Sequence, residues 1–165
     1  MKALQPLTND IKAKIKTYIK NNIDISDLID GYCIAGMDLS GARITRLNKI
    51  DENISNVNFS QCTIGLPGSI CNISGSKLVN CNFKAVKLQG VLYARKCDFR
   101  GTNFSEADMV NVEYQYSDLR GCKFCETALR IGSRLGVGAR FDENLFKELA
   151  RHWNLDITIT PKSKE

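Results

Sequence analysis

Cysteine is the residue type of this sequence that first raises a chemical question, because the chain has seven cysteines and one histidine among 165 residues. Structural metal sites combine a close pair of cysteines with a second pair or with histidines. Cys122 and Cys125 form one such pair, but the sequence contains no second pair and His152 stands alone. We therefore predict no metal site.

Catalytic chemistry has little support in the sequence. No nucleophile–base arrangement can be assembled around His152, which lies in ENLFKELARHW, a segment with helical spacing. The glycine-rich stretch GSRLGVGAR at 132–140 lacks the Lys-Ser/Thr ending of a phosphate-binding loop, and its glycines do not fit the dinucleotide pattern. We predict a protein that is not an enzyme and that binds no cofactor.

The dominant pattern of the chain is a large apolar residue at every fifth position. In CDFRGTNFSEADMVNVEYQYSDLRG, residues 97–121, the large residues are Phe99, Phe104, Met109, Tyr114 and Leu119. Neither a helix nor a continuous strand brings positions five apart onto one side. A short extended piece followed by a corner does so, and the residue two places before each centre then also faces inward. The segment therefore predicts a coiling repeat with a shared apolar interior.

The same pattern covers residues 37–131 in eighteen units, with two breaks of phase. Four additional residues at 66–69 form the first break, and we place the second, a single residue, near Lys96. Lys49 is the one clear misfit at a centre, and we expect Ile50 to take the inward place there.

The units VNFSQ, CNFKA, CDFRG, TNFSE, ADMVN and SDLRG resemble those of pentapeptide-repeat proteins. The resemblance implies an all-β solenoid, a right-handed four-sided β-helix of about 4.5 coils with short α-helices at both ends. Four units per coil would stack every fourth centre in one column. One predicted core column is Leu39, Phe59, Phe83, Phe104 and Phe124, and another places Tyr93 above Tyr114.

The repeat register also accounts for most of the cysteines. Five of them occupy the small inward position two places before a centre: Cys62, Cys71, Cys81, Cys97 and Cys122. Free cysteine behaves as a small hydrophobic residue and is often buried. We expect these thiols to be packed and reduced, which is typical of a cytosolic protein.

The N-terminal part, residues 1–36, contains a predicted helix over 9–21. Its apolar face includes Ile11, Ile15 and Ile19, while its lysines lie mainly on the other sides. A basic amphipathic helix can bind membranes or nucleic acid. It can also cap the first coil, whose open backbone edge would otherwise recruit another strand, and we favour the cap.

The C-terminal part, residues 132–165, is predicted to contain a linker, a helix that starts near Asp142, a short strand and a tail. The apolar stripe of this helix consists of Leu145, Phe146, Leu149 and Trp153. We expect the stripe to cover the last coil or to pair with its copy in a homodimer. No apolar run is long enough to cross a bilayer and no signal-peptide core is present. We expect a cytoplasmic protein, or one incorporated into a virion that assembles in the cytoplasm, without membrane insertion.

A solenoid with a filled core has no natural pocket, so its function must lie on its faces or ends. We predict a protein-interaction or assembly scaffold, with a structural component of a phage particle, such as a capsid cement protein, as an alternative. The resemblance implies another alternative, because Qnr-like relatives bind gyrase and topoisomerase IV by mimicking DNA. Those relatives are strongly acidic, whereas this chain has a net charge of +5.

Nucleic acid is the partner that we disfavour, because acidic and basic residues are intermixed in the repeats rather than segregated. We expect a protein partner instead. The candidate contact residues lie at nominally outward positions: Leu66, Pro67, Val79, Leu92, Arg95, Val110 and Tyr116. Tyr116 and Arg95 are predicted to occupy equivalent sites in successive coils, and both residue types are enriched at binding hot spots.

Overall fold

The computed structural model of the chain describes residues 4–109, 111–125, 127 and 138–152. Helices lie near the two ends of the chain, and very short strands lie between them. In chain order, the elements are β1 (Gln5–Pro6), α1 (Asn9–Lys20), α2 (Ser26–Ile29), β2 (Tyr32–Cys33), β3 (Arg43–Ile44), β4 (Thr63–Ile64), β5 (Ile70–Asn72), β6 (Lys87–Leu88), β7 (Val91–Tyr93), β8 (Val112–Glu113) and α3 (Glu143–His152).

Parallel pairing joins these short strands into ladders that run along the molecule. Strands β3, β4 and β6 form one three-stranded sheet, and β5, β7 and β8 form another. All strand pairs and bridges among the described residues are parallel. One ladder of bridges connects Asp38, Asn58, Asn82, Asn103 and Lys123, which are 20 to 24 residues apart. Successive turns of the chain are therefore stacked on each other, which is the architecture of a solenoid.

The large centre residues fill the interior of the solenoid. Leu39, Phe59, Phe83, Phe104 and Phe124 are buried and follow the ladder in one column. Along this column, the ring centroids are 4.8, 5.3 and 5.0 Å apart from Phe59 to Phe124, and the rings are stacked. Offset stacking at these distances is favourable beyond the burial of area alone. The aromatic column is thus a continuous core.

Tyr114 packs against this column from a neighbouring one. Its ring lies edge-on to Phe99, Phe104 and Phe124, with centroids 5.7, 5.9 and 6.4 Å away. The hydroxyl of Tyr114 is buried and has no hydrogen-bond partner among the described residues. Burial raises the pKa of this phenol well above its usual value. The ring therefore stabilises the core, while the hydroxyl contributes a desolvation penalty.

Corners between the short strands are made by residues with positive φ two places after most centres. Gly101 and Gly121 have φ of 72°, and Asn80 has φ of 56°. Turns that need a left-handed residue at their third position favour glycine and asparagine there. The prevalence of these residue types just after the centres is therefore a requirement of the corners.

The small inward position also carries a hydrogen bond. The thiols of Cys81 and Cys97 donate to the carbonyl oxygens of Ile54 and Ile73, with donor–acceptor distances of 3.1 and 3.0 Å. The Thr102 hydroxyl donates in the same way to Leu78, at 2.6 Å. In each case the acceptor is the backbone carbonyl group of a centre residue in the preceding coil. Thr, Ser and Cys are consequently suited to this position because they are small donors, and not only because they are small.

The single-residue phase break lies at Gly90–Val91 and not near Lys96. Leu92 and Ala94 are buried, whereas Tyr93 is only partly buried. Side chains of a strand alternate between its two faces. When the extra residue is placed too late in the chain, inward and outward positions are therefore exchanged between the true break and the predicted one. The predictions that Leu92 faces outward and that Tyr93 is a core centre are therefore wrong, and Ala94 is the centre below Tyr114.

Lys49 occupies its centre position after all, and the prediction that Ile50 replaces it is wrong. Lys49 is 1% exposed and Ile50 is 52% exposed. The Lys49 ammonium donates to the carbonyl oxygens of Ile29 and Tyr32, at 2.8 Å each, and lies 3.2 Å from Oε2 of Glu52. Burial raises the pKa of Glu52, although the charge of Lys49 opposes this effect. Lys49 begins the column that continues through Ile73, Ala94 and Tyr114. A cation is suited to this end of the column, because carbonyl groups lie there instead of another apolar centre.

The N-terminal elements pack on this end of the solenoid. Strand β1 pairs with β2, and Thr8 caps α1 by accepting a hydrogen bond from the Ile11 amide at 3.3 Å. Ile15 of α1 is 1% exposed, and Leu7 is also buried in the common core. The apolar side of α1 is consequently used within the chain.

The C-terminal elements continue the stack with a unit that the repeat pattern missed. Residues 139–143, ARFDE, follow the same small-to-large order, and Arg140 bridges to Asp118. The Asp142 carboxylate accepts hydrogen bonds from the amides of Gly121, at 2.6 Å, and Leu145, at 2.9 Å. These two bonds lower the pKa of Asp142. One side chain therefore joins the last described coil to the first turn of α3.

Helix α3 buries Leu145 and Leu149, while Phe146 is partly buried with its ring centroid 6.4 Å from that of Phe141. Trp153, the fourth residue of the predicted apolar stripe, lies outside the described residues. The stripe is therefore occupied within the chain at the positions that the structure describes.

We expect Phe104→Ala to lower the free energy of unfolding by about 3–5 kcal/mol, because it removes the ring that contacts two stacked neighbours and leaves a cavity. Urea unfolding followed by circular dichroism measures this change. Tyr114→Phe is the control, since it keeps the ring and removes only an unpaired buried hydroxyl; it should cause no loss of stability. A negligible effect of Phe104→Ala would contradict the assigned register.

Lys49→Met should destabilise the fold by about 3–5 kcal/mol, because it leaves Glu52 and two carbonyl groups without their buried partner. Lys87→Met is the matched control, since Lys87 is exposed on β6. Thermal unfolding of the two variants at equal concentration compares them directly. Equal melting temperatures would show that the Lys49 charge has no structural role.

Candidate interaction face

One side of the solenoid gathers the exposed apolar residues of the repeat region. It is built from four stacked segments, residues 46–51, 70–75, 91–96 and 111–116, and we name it the β5–β8 face. Five large hydrophobic residues are exposed among the described residues. Ile50 and Ile70 (52% and 55% exposed) lie on this face, and Leu66 and Tyr116 (39% and 58%) lie at its two corners. Ile23 belongs to the N-terminal cap.

The strand register explains how these side chains come together. Ile70 pairs with Val91, and Asn72 pairs with Tyr93, so their outward side chains form adjacent rows. Asn48 bridges to Asn72, and the amide of Asp51 donates to the carbonyl oxygen of Ser74, at 3.0 Å. Ile50 therefore lies beside Ser74 in the same side of the stack.

The charged groups on the β5–β8 face are largely compensated. The Arg95 guanidinium forms an ion pair with Glu113, with Nε 2.8 Å from Oε2, and lies 5.1 Å from the centroid of the Tyr93 ring. The exposed charges of Asp51 and Lys96 lie in the corner row that contains Tyr116. The polar positions between the corners are mainly uncharged: Asn48, Asn72, Ser74, Asn111 and Gln115. Between its corners, the face therefore combines apolar and amide groups with little uncompensated charge.

Both phase breaks lie at one corner beside this face, after Ile64 and after Leu88. In the four-residue insertion, the Leu66 amide donates to the Ser69 hydroxyl at 2.7 Å, and the Ser69 amide donates to the Leu66 carbonyl oxygen at 2.9 Å. Gly90 packs beneath this loop, where a Cβ atom would lie 2.5 Å from the Ser69 carbonyl oxygen and 2.9 Å from that of Leu66. The extra residue of one coil consequently supports the insertion of the preceding coil, and Leu66 and Pro67 are exposed on it.

Tyr116 forms the opposite corner of the face. It has φ of 59°, a conformation that aromatic residues seldom adopt. Gly138 lies under its ring so closely that a Cβ atom there would overlap Tyr116 Cδ1. The Lys96 amide donates to the Gln115 carbonyl oxygen at 2.8 Å, so Lys96, and not Arg95, corresponds to Tyr116 in the preceding coil. The predicted equivalence of Arg95 and Tyr116 is therefore wrong, although both lie on this side of the molecule.

The other predicted contact residues do not join the face. Leu92 is buried beneath it, and Val110 lies outside the described residues. Val79 is partly buried on a different side, near Arg100. Sequence reasoning missed Ile50 and Ile70, because Ile50 was assigned to the interior and Ile70 follows an insertion that interrupts the register. Only the position of the corners identifies them as outward residues.

Two aspartates that precede centres are engaged in local ion pairs. Arg100 donates to both carboxylate oxygens of Asp98, at 2.8 Å each, and Arg120 makes the same fork with Asp118. These hydrogen bonds lower the pKa of both carboxyl groups. Each acid is thus held ionised by its own neighbour.

All seven cysteines are free, and five of them are buried. Burial raises the pKa of the Cys62, Cys97 and Cys122 thiols to about 12. Cys122 is buried and Cys125 is exposed, so this pair does not converge on one point. No cluster of three potential metal ligands occurs in the part of the chain that the structure describes. Within the same residues, no helix is long and apolar enough to span a membrane.

Comparison with known proteins identifies the repeat in one part of the chain. Residues 93–124 match the family model for pentapeptide repeats, with eight copies. No curated protein sequence matches the chain. Residues 93–124 therefore carry pentapeptide repeats, and parallel ladders make the repeat region a β-solenoid.

Three solved structures illustrate the likeness. Full-length QnrB1, a plasmid-mediated fluoroquinolone resistance protein, is 14% identical, with 75% of this chain and 86% of that chain covered and a TM-score of 0.39. A pentapeptide-repeat protein from the thylakoid lumen of Arabidopsis thaliana is 18% identical, with coverages of 72% and 74% and a TM-score of 0.35. The pentapeptide-repeat protein alr5209 from Nostoc PCC 7120 is 12% identical, with coverages of 85% and 99% and a TM-score of 0.38.

We expect Gly90→Ala to destabilise the insertion corner, because the added methyl group would meet two backbone carbonyl oxygens that cannot move independently. Overpacking of this kind lowers the free energy of unfolding by about 1–3 kcal/mol. Thermal unfolding of the variant measures the loss. Gln89→Ala, at the exposed neighbouring position, should leave the melting temperature nearly unchanged, and an equally small effect of Gly90→Ala would contradict the close approach.

Proposed function

We propose that the protein is a non-enzymatic interaction scaffold that binds partner proteins through the β5–β8 face. The observation that carries this proposal is the distribution of exposed apolar side chains. Ile50, Leu66, Ile70 and Tyr116 all lie on one side or at its corners, and they are four of the five large exposed hydrophobic residues described. Scattered exposed apolar residues are normal, but their concentration on one side is typical of a contact surface.

The composition of the face supports contact with a protein. Interface centres are depleted in free charge and enriched in aromatic residues and arginine. Tyr93, Tyr116 and Arg95 supply these residue types here, and the Arg95 charge is paired with Glu113. The paired arginine can bind a partner without a buried unpaired charge.

The size of the face limits the kind of contact it makes. Four segments about 4.8 Å apart and about five residues wide give an area of roughly 300–350 Å². Stable interfaces bury about 800 Å² on each partner. We infer that the partner also contacts the insertion corner or an end of the solenoid, or that several such contacts act together in an assembly.

The proposed architecture is a right-handed, four-sided β-helix of about 4.5 coils over residues 37–131, with the N-terminal cap in 1–36 and the C-terminal module in 132–165. The 20-residue step from Asp38 to Asn58 supports four units per coil. A cytoplasmic location is part of the proposal and is supported by the seven free thiols, five of which are buried.

The alternatives have less support. A DNA-mimic function needs a continuous acidic surface, whereas Asp98 and Asp118 are neutralised by Arg100 and Arg120. A homodimer through α3 would need its apolar stripe, whose residues Leu145 and Leu149 are buried within the chain. No specific observation favours a phage-particle component over other assemblies.

The double variant Ile50→Ser/Ile70→Ser should lose partner capture while it keeps its melting temperature, because exposed substitutions change stability by less than about 0.5 kcal/mol each. The measurement is affinity capture of the tagged protein from its native host at low and high salt, with bound proteins identified by mass spectrometry. Ile23→Ser is the matched control, since Ile23 is an exposed isoleucine away from the face (44% exposed). Capture of the same proteins by wild type, double variant and control would contradict the assignment of the face.

A further inference from the structure

More than half of the net positive charge of the protein lies on α1. This helix contains four lysines and one aspartate, which amounts to +3 of the net +5 of the whole chain. Lys12, Lys14, Lys16 and Lys20 are all exposed. Most of the excess positive charge of the protein therefore lies on one 12-residue element at one end of the solenoid.

These lysines have no ion-pair partner among the described residues. The seven ion pairs of the described chain involve other basic residues. Asp38 is the acid on which the charge of Lys16 acts, but its carboxylate is engaged mainly by the Ser40 amide, at 3.1 Å, and that hydrogen bond is the main cause of its lowered pKa. The positive potential of α1 is thus not neutralised by a bonded acid.

Three of the lysines form a row on one flank of the helix. Lys12, Lys16 and Lys20 are four residues apart, so their Cα atoms rise by about 6 Å at each step and stay on one side. Lys14 lies on the other flank, with its ammonium 5.4 Å from the centroid of the Tyr18 ring. The burial of Ile15 and the Thr8 cap hold the helix, and hence the row, in a fixed position.

The chemistry of this row points to a linear polyanion. A basic amphipathic helix binds a membrane by inserting its apolar face below the headgroups. The apolar face of α1 is not available for insertion, because Ile15 is buried and Ile11 and Ile19 pack on the core. A nucleic acid requires only the charges, since its phosphates are neutralised by lysines with release of counterions.

We propose that Lys12, Lys16 and Lys20 form a site for the phosphate backbone of a nucleic acid, bound without sequence preference. This function is additional to protein binding by the β5–β8 face, and it leaves the intermixed charges of the repeats uninvolved. A site of three phosphate contacts binds weakly, with a dissociation constant of about 10⁻⁴–10⁻⁶ M at physiological salt.

The test uses the full chain and a fluorescein-labelled DNA duplex of mixed sequence, titrated by fluorescence anisotropy at a series of salt concentrations. Three contacts predict a slope of about −2.7 for the logarithm of the association constant against that of salt, or about a 40-fold loss between 50 and 200 mM. The triple variant Lys12→Gln/Lys16→Gln/Lys20→Gln should bind at least about tenfold more weakly and lose most of the slope. Circular dichroism and thermal unfolding verify that it remains folded.

The matched control is Lys77→Gln/Lys87→Gln/Lys123→Gln, which removes the same charge from exposed positions on the solenoid. It should retain most of the affinity. Equal losses of DNA affinity in the two triple variants would show that only the net charge matters and would overturn the site. The absence of DNA binding by the wild-type chain at low salt would also overturn it. Binding to vesicles of equal parts phosphatidylserine and phosphatidylcholine, but not to DNA, would overturn the proposal in favour of a membrane surface.

Discussion

The structure depends on backbone hydrogen bonds that run along the solenoid axis from each coil to the next. The amide of Phe59 donates to Asn82, and the amide of Asn82 donates back to Val57, at 2.7 and 3.0 Å. Such bonds fix the register between coils, so equivalent positions stack directly. The same register builds the aromatic column inside and a ladder of side-chain amides outside, where Asn82 donates to Asn58 and Asn58 to Asp38. The backbone register consequently aligns equivalent side chains of successive coils into rows on each face of the molecule.

Stacked coils leave two open ends, and the sequence departs from its repeat at both. At the N-terminal end, the buried Lys49 ammonium satisfies carbonyl groups for which no further coil supplies amides. At the C-terminal end, Asp142 accepts the Gly121 amide and caps α3 with the same carboxylate. At each end, one charged side chain thus satisfies backbone groups of the neighbouring coil, and its hydrogen bonds are stronger than those of a neutral group.

The five-residue period was sufficient to predict a solenoid and to identify the Phe59–Phe124 column. The period could not locate the single inserted residue, because either Tyr93 or Ala94 can be the centre of its unit. The pattern of large centre residues favours Tyr93. The structure selects Ala94, and the small side chain leaves space next to the Tyr114 ring, which extends towards Phe104. The period also could not predict that Lys49 is buried at a centre. The partners of its ammonium group are backbone carbonyl groups of the N-terminal part, and a pattern of side chains does not reveal them.

The face was less predictable than the core for a physical reason. Inward positions are restricted by volume, so their residue types repeat, whereas outward positions are restricted only by solubility. Leu66 and Tyr116 were predicted because they are apolar residues at nominally outward positions, but Ile50 and Ile70 are identified as outward residues only when the positions of the corners are known. A half-exposed isoleucine on an extended side stabilises the fold less than a buried one. The presence of two such residues in neighbouring coils therefore favours a contact that the solenoid makes through this side.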